Sequence, residues 1–97
     1  MKEHEIESYF VWTVEMQGGI TYKFKSPSHR GVADRIACLP NGQTWFVELK
    51  TKGGRLSELQ KLYARDMRSL GQNYACLWTK EQIDEWSTTQ VVPERSR

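Results

Sequence analysis

The chain lacks any apolar run of membrane-spanning length, and its charged start, Met1 to Glu7, lacks the apolar core of a signal peptide. A cytoplasmic protein with no membrane partner is therefore expected. Cysteine is scarce. Cys38 and Cys76 both sit in apolar stretches with no second ligand pair nearby, which argues against zinc and makes them buried free thiols. An excess of one charge is also missing. Fourteen Lys and Arg stand against 12 Asp and Glu, a net charge of +2, too little for gripping nucleic acid by bulk electrostatics. Internal repeats and low-complexity segments are absent, and 97 residues leave no room for a separate regulatory module. Elaborate recognition would have to come from oligomerisation.

What is present is ordinary for a compact folded domain: 38% hydrophobic and 27% charged residues. The distribution of charge says more than its total. Acids gather at Glu3, Glu5, Glu7 and Glu15 and again around Glu81, Asp84 and Glu85, while bases crowd the middle, from Lys23 to Arg35, Lys50 to Arg55 and Lys61 to Arg68.

Helical spacing of Ile6, Tyr9, Phe10, Thr13 and Val14 predicts a first helix over Lys2 to Gln17, stopped by Gly18-Gly19. Ile20 to Lys25 alternates apolar and polar or basic residues, the pattern of a half-buried strand with one cationic face. Ser26 to Gly31 reads as a loop. Asp34 to Leu39 and Gln43 to Lys50 are two strand-like runs around Pro40-Asn41-Gly42, a hairpin signal. Ser57 and Gln60 form a capping-box signature for a second helix with a core stripe of Leu59, Leu62, Tyr63, Met67 and Leu70, ended by Gly71. Asn73 to Trp78 suits a buried strand. Thr79 and Gln82 repeat the capping signature before a short last helix anchored by Ile83 and Trp86. The reading is one domain over residues 1–86 and a C-terminal tail over 87–97.

The hairpin concentrates the chemistry. Period 2 puts Thr44, Phe46, Glu48 and Lys50 on one face and Trp45, Val47 and Leu49 on the core face. Which partner meets Glu48 depends on the loop. A two-residue turn at Asn41-Gly42 would pair Pro40 with Gln43 and send Asp34 to the opposite face. A three-residue loop with a left-handed Gly42 would pair Leu39 with Gln43 and set Asp34 opposite Glu48, and this register is favoured. Two carboxylates on neighbouring strands could then share a hard divalent cation, which takes oxygen ligands and often only one or two carboxylates. Against this stands a plain surface salt bridge between Lys50 and one of the acids, common on any hairpin.

Gly31-Val32-Ala33-Asp34, then Glu48-Leu49-Lys50, then Leu59-Gln60 resemble the PD-(D/E)xK nuclease superfamily, and within it the VRR-NUC domain. The resemblance covers all but about the last dozen residues, with Ala33 standing where the superfamily name has proline. It implies an α/β restriction-endonuclease-like core, a mixed twisted sheet flanked by helices. It also implies that Asp34 and Glu48, with the Leu49 carbonyl, bind Mg2+ (Mn2+ able to substitute), that Lys50 positions or activates the attacking water, and that Gln60 orients Lys50 or the water. The family's helix acid matches Glu7, ahead of Glu3 and Glu5. No organic cofactor is implied.

Lys23, Ser28, His29, Arg30, Lys52 and Arg55 flank this site in sequence and are candidate DNA contacts, although loop bases are often only solubilising. Gln60 could equally be no more than the cap partner of Ser57. The four tryptophans read as core or dimer interface. Short stand-alone members of the resembled group are similar to Holliday junction resolvases. The expectation is a structure-selective, metal-dependent DNA endonuclease acting as a homodimer on branched double-stranded DNA, of phage or prophage origin. The rivals are a flap- or nick-directed repair nuclease and a non-catalytic nucleic-acid-binding module.

Overall fold

The apolar periodicities resolve into seven elements in the computed structural model, which describes residues 2–90. In chain order they are α1 (Glu3–Met16), β1 (Ile20–Lys23), β2 (Arg35–Cys38), β3 (Thr44–Leu49), α2 (Glu58–Ser69), β4 (Asn73–Leu77) and α3 (Lys80–Thr89). One four-stranded sheet runs in the order β1-β2-β3-β4. The first two pairings are antiparallel, and β4 lies parallel to β3 after the α2 crossover. This is a mixed α/β domain, as the sequence predicts. Among the described residues no helix is long and apolar enough to cross a membrane.

Two helices share one face of the sheet. Ile6, Phe10 and Val14 of α1 and Ile83 and Trp86 of α3 pack with Ala37, Leu39, Val47, Leu49 and Leu77, all buried. Tyr9 Oη donates to Asp84 Oδ1 at 2.5 Å and ties the two helices together. The other face carries a smaller cluster in which Ala33, Ala64 and Tyr74 are buried among Phe24, Phe46, Tyr63, Met67 and Cys76. Both cysteines are half-buried free thiols.

Three details differ from the sequence reading. The stripe of α2 is only partly a core stripe: Tyr63 and Met67 pack partly buried beside the buried Ala64, whereas Leu59, Leu62 and Leu70 are exposed. The reason is placement, since α2 packs chiefly on β4 and its leucines line an open groove with Phe24, Pro27 and His29. For the same reason Ile20 and Tyr22, on the α2 side of β1, stay open to solvent. Finally, α3 continues past Trp86 to Thr89, with Ser87 and Gln90 buried, so the domain runs beyond the expected boundary. The rest of the expected tail, 91–97, lies outside the described residues.

Candidate active site

The hairpin loop decides whether a site exists. Leu39 N–H donates to the Gln43 carbonyl at 2.9 Å, Gly42 N–H to the Leu39 carbonyl at 3.0 Å, and Gly42 has φ +86°. A left-handed residue there closes a three-residue loop. The ladder then runs Cys38 to Thr44, Ala37 to Trp45, Ile36 to Phe46 and Arg35 to Val47. One further step sets Asp34 opposite Glu48, on the face that α2 covers.

Glu48 is 1% exposed, an unusual position for a carboxylate. Its Oε2 accepts the Gln60 Nε2–H at 3.0 Å and lies 4.0 Å from Lys50 Nζ. Asp34 Oδ2 accepts the Leu49 N–H at 2.8 Å, which places its carboxyl beside the peptide that follows Glu48. Burial, and then the charge of Asp34 within hydrogen-bonding reach, push the Glu48 carboxyl up to about 8, and Lys50 only partly opposes this. Cys76, paired with Glu48 across β3 and β4, has its thiol pushed up to about 12 by burial and by the same carboxylate. Burial and neighbouring charge therefore make it costly to ionise Glu48 with Lys50 alone beside it. Lys50 and Glu48 form a salt bridge at 4.0 Å, but Glu48 is buried rather than at the surface and also takes the Gln60 amide.

Oxygen donors short of positive charge suit a hard divalent ion. Asp34 and Glu48 are the side chains that fit it, and among the described residues no cluster of three or more His, Cys, Asp or Glu gathers at one point. Such a site would rely on backbone and water for its remaining ligands, as Mg2+ sites commonly do.

The structure brings Asp34, Glu48, Lys50 and Gln60 together. It does not bring Glu7. Arg35 leaves β2 on the α1 side, opposite to Asp34, and its Nε donates to Glu7 Oε2 at 2.9 Å, while its Nη1 reaches Thr21 Oγ1 at 3.0 Å. Glu3, exposed one turn earlier on the same face of α1, adds the smallest of the effects that raise Glu48. The signal for the pairing of Arg35 with Glu7 was present in sequence, because Arg35 must point away from Asp34 along a strand and needs an acid on its own side.

Lys23 also faces α1, lining a hollow with Glu7 and Arg35. Ser28, His29, Arg30, Lys52 and Arg55 are exposed, and among the described residues none of these cations is in an ion pair. His29 and Arg30 line a groove together with Leu59, Leu62 and Leu70. The loop bearing Lys52 is pinned from beneath by Trp78, whose Nε1–H donates to the Gly54 carbonyl at 2.8 Å. Trp45 and Trp86 meet edge to face at 5.7 Å in the core, so three of the four tryptophans are structural.

A solved structure described as a VRR_NUC domain superposes on this chain with a TM-score of 0.81 over 86% of the chain and 90% of its own length, at 26% identity. The fold is that of a VRR-NUC domain. No family model matches the sequence itself. A curated protein of Acyrthosiphon pisum secondary endosymbiont phage 1, named "Putative nuclease p44", is 47% identical over 60 residues, 62% of this chain and 64% of its own length. The VRR-NUC frame agrees with the sequence resemblance to that domain.

Proposed function

We propose that the protein is a metal-dependent, structure-selective DNA endonuclease that hydrolyses phosphodiester bonds and resolves four-way junctions as a homodimer. The observation that carries this reading is the convergence of Asp34, Glu48, Lys50 and Gln60 on one sheet face inside a VRR-NUC fold. The name of the phage relative points the same way.

Asp34, Glu48 and the Leu49 carbonyl would hold Mg2+, or Mn2+ in its place, with Glu3 the favoured helix acid and Glu7 committed to Arg35. When bound, such an ion makes water easier to deprotonate and offsets charge developing on a phosphodiester. Lys50 supplies a second cation at the reacting phosphate and orients the attacking water. Gln60 holds Glu48 rather than Lys50, which differs from the role the family resemblance implies. Ser28, His29, Arg30, Lys52 and Arg55 hold the flanking phosphates, which fixes position without reading sequence. Lys23 sits on the far face and serves such contacts least.

A homodimer is supported by the apolar side chains left open, among them Tyr22, Leu59, Leu62 and Leu70. Two-fold symmetry would present two sites to the two strands of a junction.

The test is to incubate the purified chain with labelled four-way junctions, flaps, nicked and linear duplexes in Mg2+, Mn2+ or EDTA. Symmetric metal-dependent cuts in the junction are expected. Cutting confined to flaps or nicks would replace the junction reading with the repair-nuclease one. DNA binding without cleavage of any substrate would leave a binding module.

A further inference from the structure

Gln60 is engaged at both ends of its amide. Its Oε1 accepts the Ser57 backbone N–H at 2.8 Å, and its Nε2 donates to Glu48 Oε2 at 3.0 Å. The Ser57 hydroxyl returns the favour by accepting the Gln60 N–H at 3.1 Å. An amide that must accept at one end and donate at the other cannot be flipped without losing both bonds. Glutamate, which serves equally in capping boxes, would satisfy Ser57 and leave Glu48 facing a second carboxylate.

The backbone of Gln60 is held from a second direction. A Cβ built on Gly31, whose φ is +83°, would lie 2.6 Å from the Leu59 carbonyl carbon, 2.7 Å from its oxygen and 2.9 Å from Gln60 N. The segment leading to Asp34 therefore rests directly on the Leu59–Gln60 peptide. A side chain there would drive the two apart.

We propose that Ser57 and Gly31 are positioning residues: the Ser57 N–H and the bare Gly31 backbone lock the Gln60 amide in the orientation that presents its N–H to Glu48. The helix cap of α2 is thus part of the site, and it fixes the rotation of a carboxylate on a different element. The effect on turnover rests on the nuclease reading, whereas the amide geometry does not.

The test uses two substitutions at one position in the full chain. S57A removes the hydroxyl and keeps the N–H. S57P removes the N–H as well, at a residue whose φ of −69° suits proline. In 15N spectra the Gln60 side-chain NH2 should stay shifted and slow to exchange with solvent in S57A. In S57P and G31A it should move to the position of a free glutamine and exchange quickly. On the cleaved substrate S57P should have a kcat about tenfold or more below that of S57A, with KM unchanged, the size typical for outer partners of a metal ligand. Q60E keeps its bond to the Ser57 N–H but sets a carboxylate against Glu48, so it should melt somewhat below the wild type and lose kcat by a similar factor. Identical Gln60 signals and kcat in S57P and S57A would overturn the proposal, as would a Q60E enzyme with wild-type turnover. If the wild type cuts nothing, the nuclease reading fails, and the NH2 signal still decides the positioning.

Discussion

Asp34 and Glu48 meet across the hairpin one step beyond the last ladder pair, Arg35 and Val47, and the half-buried Asp34 helps push the buried Glu48 carboxyl up to about 8. Ionising Glu48 there costs the folded chain stability, and a bound cation would offset that cost. Four predictions follow from it and from its surroundings.

Lys50→Ala should abolish cleavage, with kcat falling by about 100-fold or more, while junction binding is retained. Lys50 reaches into the carboxylate pocket, whereas the exposed loop cations supply most of the affinity for phosphate. Gel-shift and cleavage assays on the same preparation check the division. A folded variant that no longer binds DNA would contradict it.

Stability without metal should fall as pH rises. The unfolded Glu48 carboxyl releases its proton near 4.5, whereas the folded one keeps it to about 8, so between these values the folded state binds more protons. The slope of stability against pH is then negative, and the contribution is fully present only below the unfolded value. Melting temperature in EDTA should decline across pH 5 to 8, and saturating Mg2+ should flatten the decline. Mg2+ affinity should rise over the same range as the ion displaces the proton. A flat profile in EDTA would refute this account of Glu48.

Above about pH 8, where Glu48 is ionised, Asp34→Asn should raise the melting temperature in EDTA by a few degrees, roughly 1 kcal/mol, while removing metal-dependent cleavage. The asparagine oxygen can still accept the Leu49 N–H, and the repulsion with Glu48 disappears. This is the usual opposition of stability and activity at a strained site. Differential scanning calorimetry in EDTA measures it, and a destabilised variant would show that Asp34 serves the fold.

Glu3→Gln and Glu7→Gln should separate. The first should weaken Mg2+ binding by about tenfold or more and leave the melting temperature nearly unchanged. The second should lower the melting temperature by an amount equivalent to about 1–2 kcal/mol, because the partly buried Arg35 loses its carboxylate. Titration calorimetry and melting curves on both variants decide, and the reverse pattern would return the helix acid to Glu7.

Much of this molecule is written locally. The helical spacing of Ile6, Phe10 and Val14, the alternation through Trp45, Val47 and Leu49, and the Ser57 and Thr79 caps each act within a few residues. Glu48 and Lys50 share a face for the same reason, because side-chain direction along a strand needs no partner. The loop register was legible only as a preference: Pro40-Asn41-Gly42 allowed a two- or a three-residue turn, and the left-handed Gly42 decides for the second.

What sequence could not settle were questions of which element lies over which. The stripe of α2 has the periodicity of a buried face, and only the packing of that helix on β4 leaves Leu59, Leu62 and Leu70 outside. Glu3 and Glu7 are equivalent by helical periodicity, and Arg35, arriving from β2, distinguishes them. Gln60 read as either a cap or a site residue, and its amide reaches both Ser57 and Glu48, because the crossover lays the first turn of α2 beside Glu48. Periodicity determines which way a side chain faces along its own element. Whether that face meets solvent, an acid or an arginine is decided by long-range packing, and the charge state of Glu48 depends on that packing too.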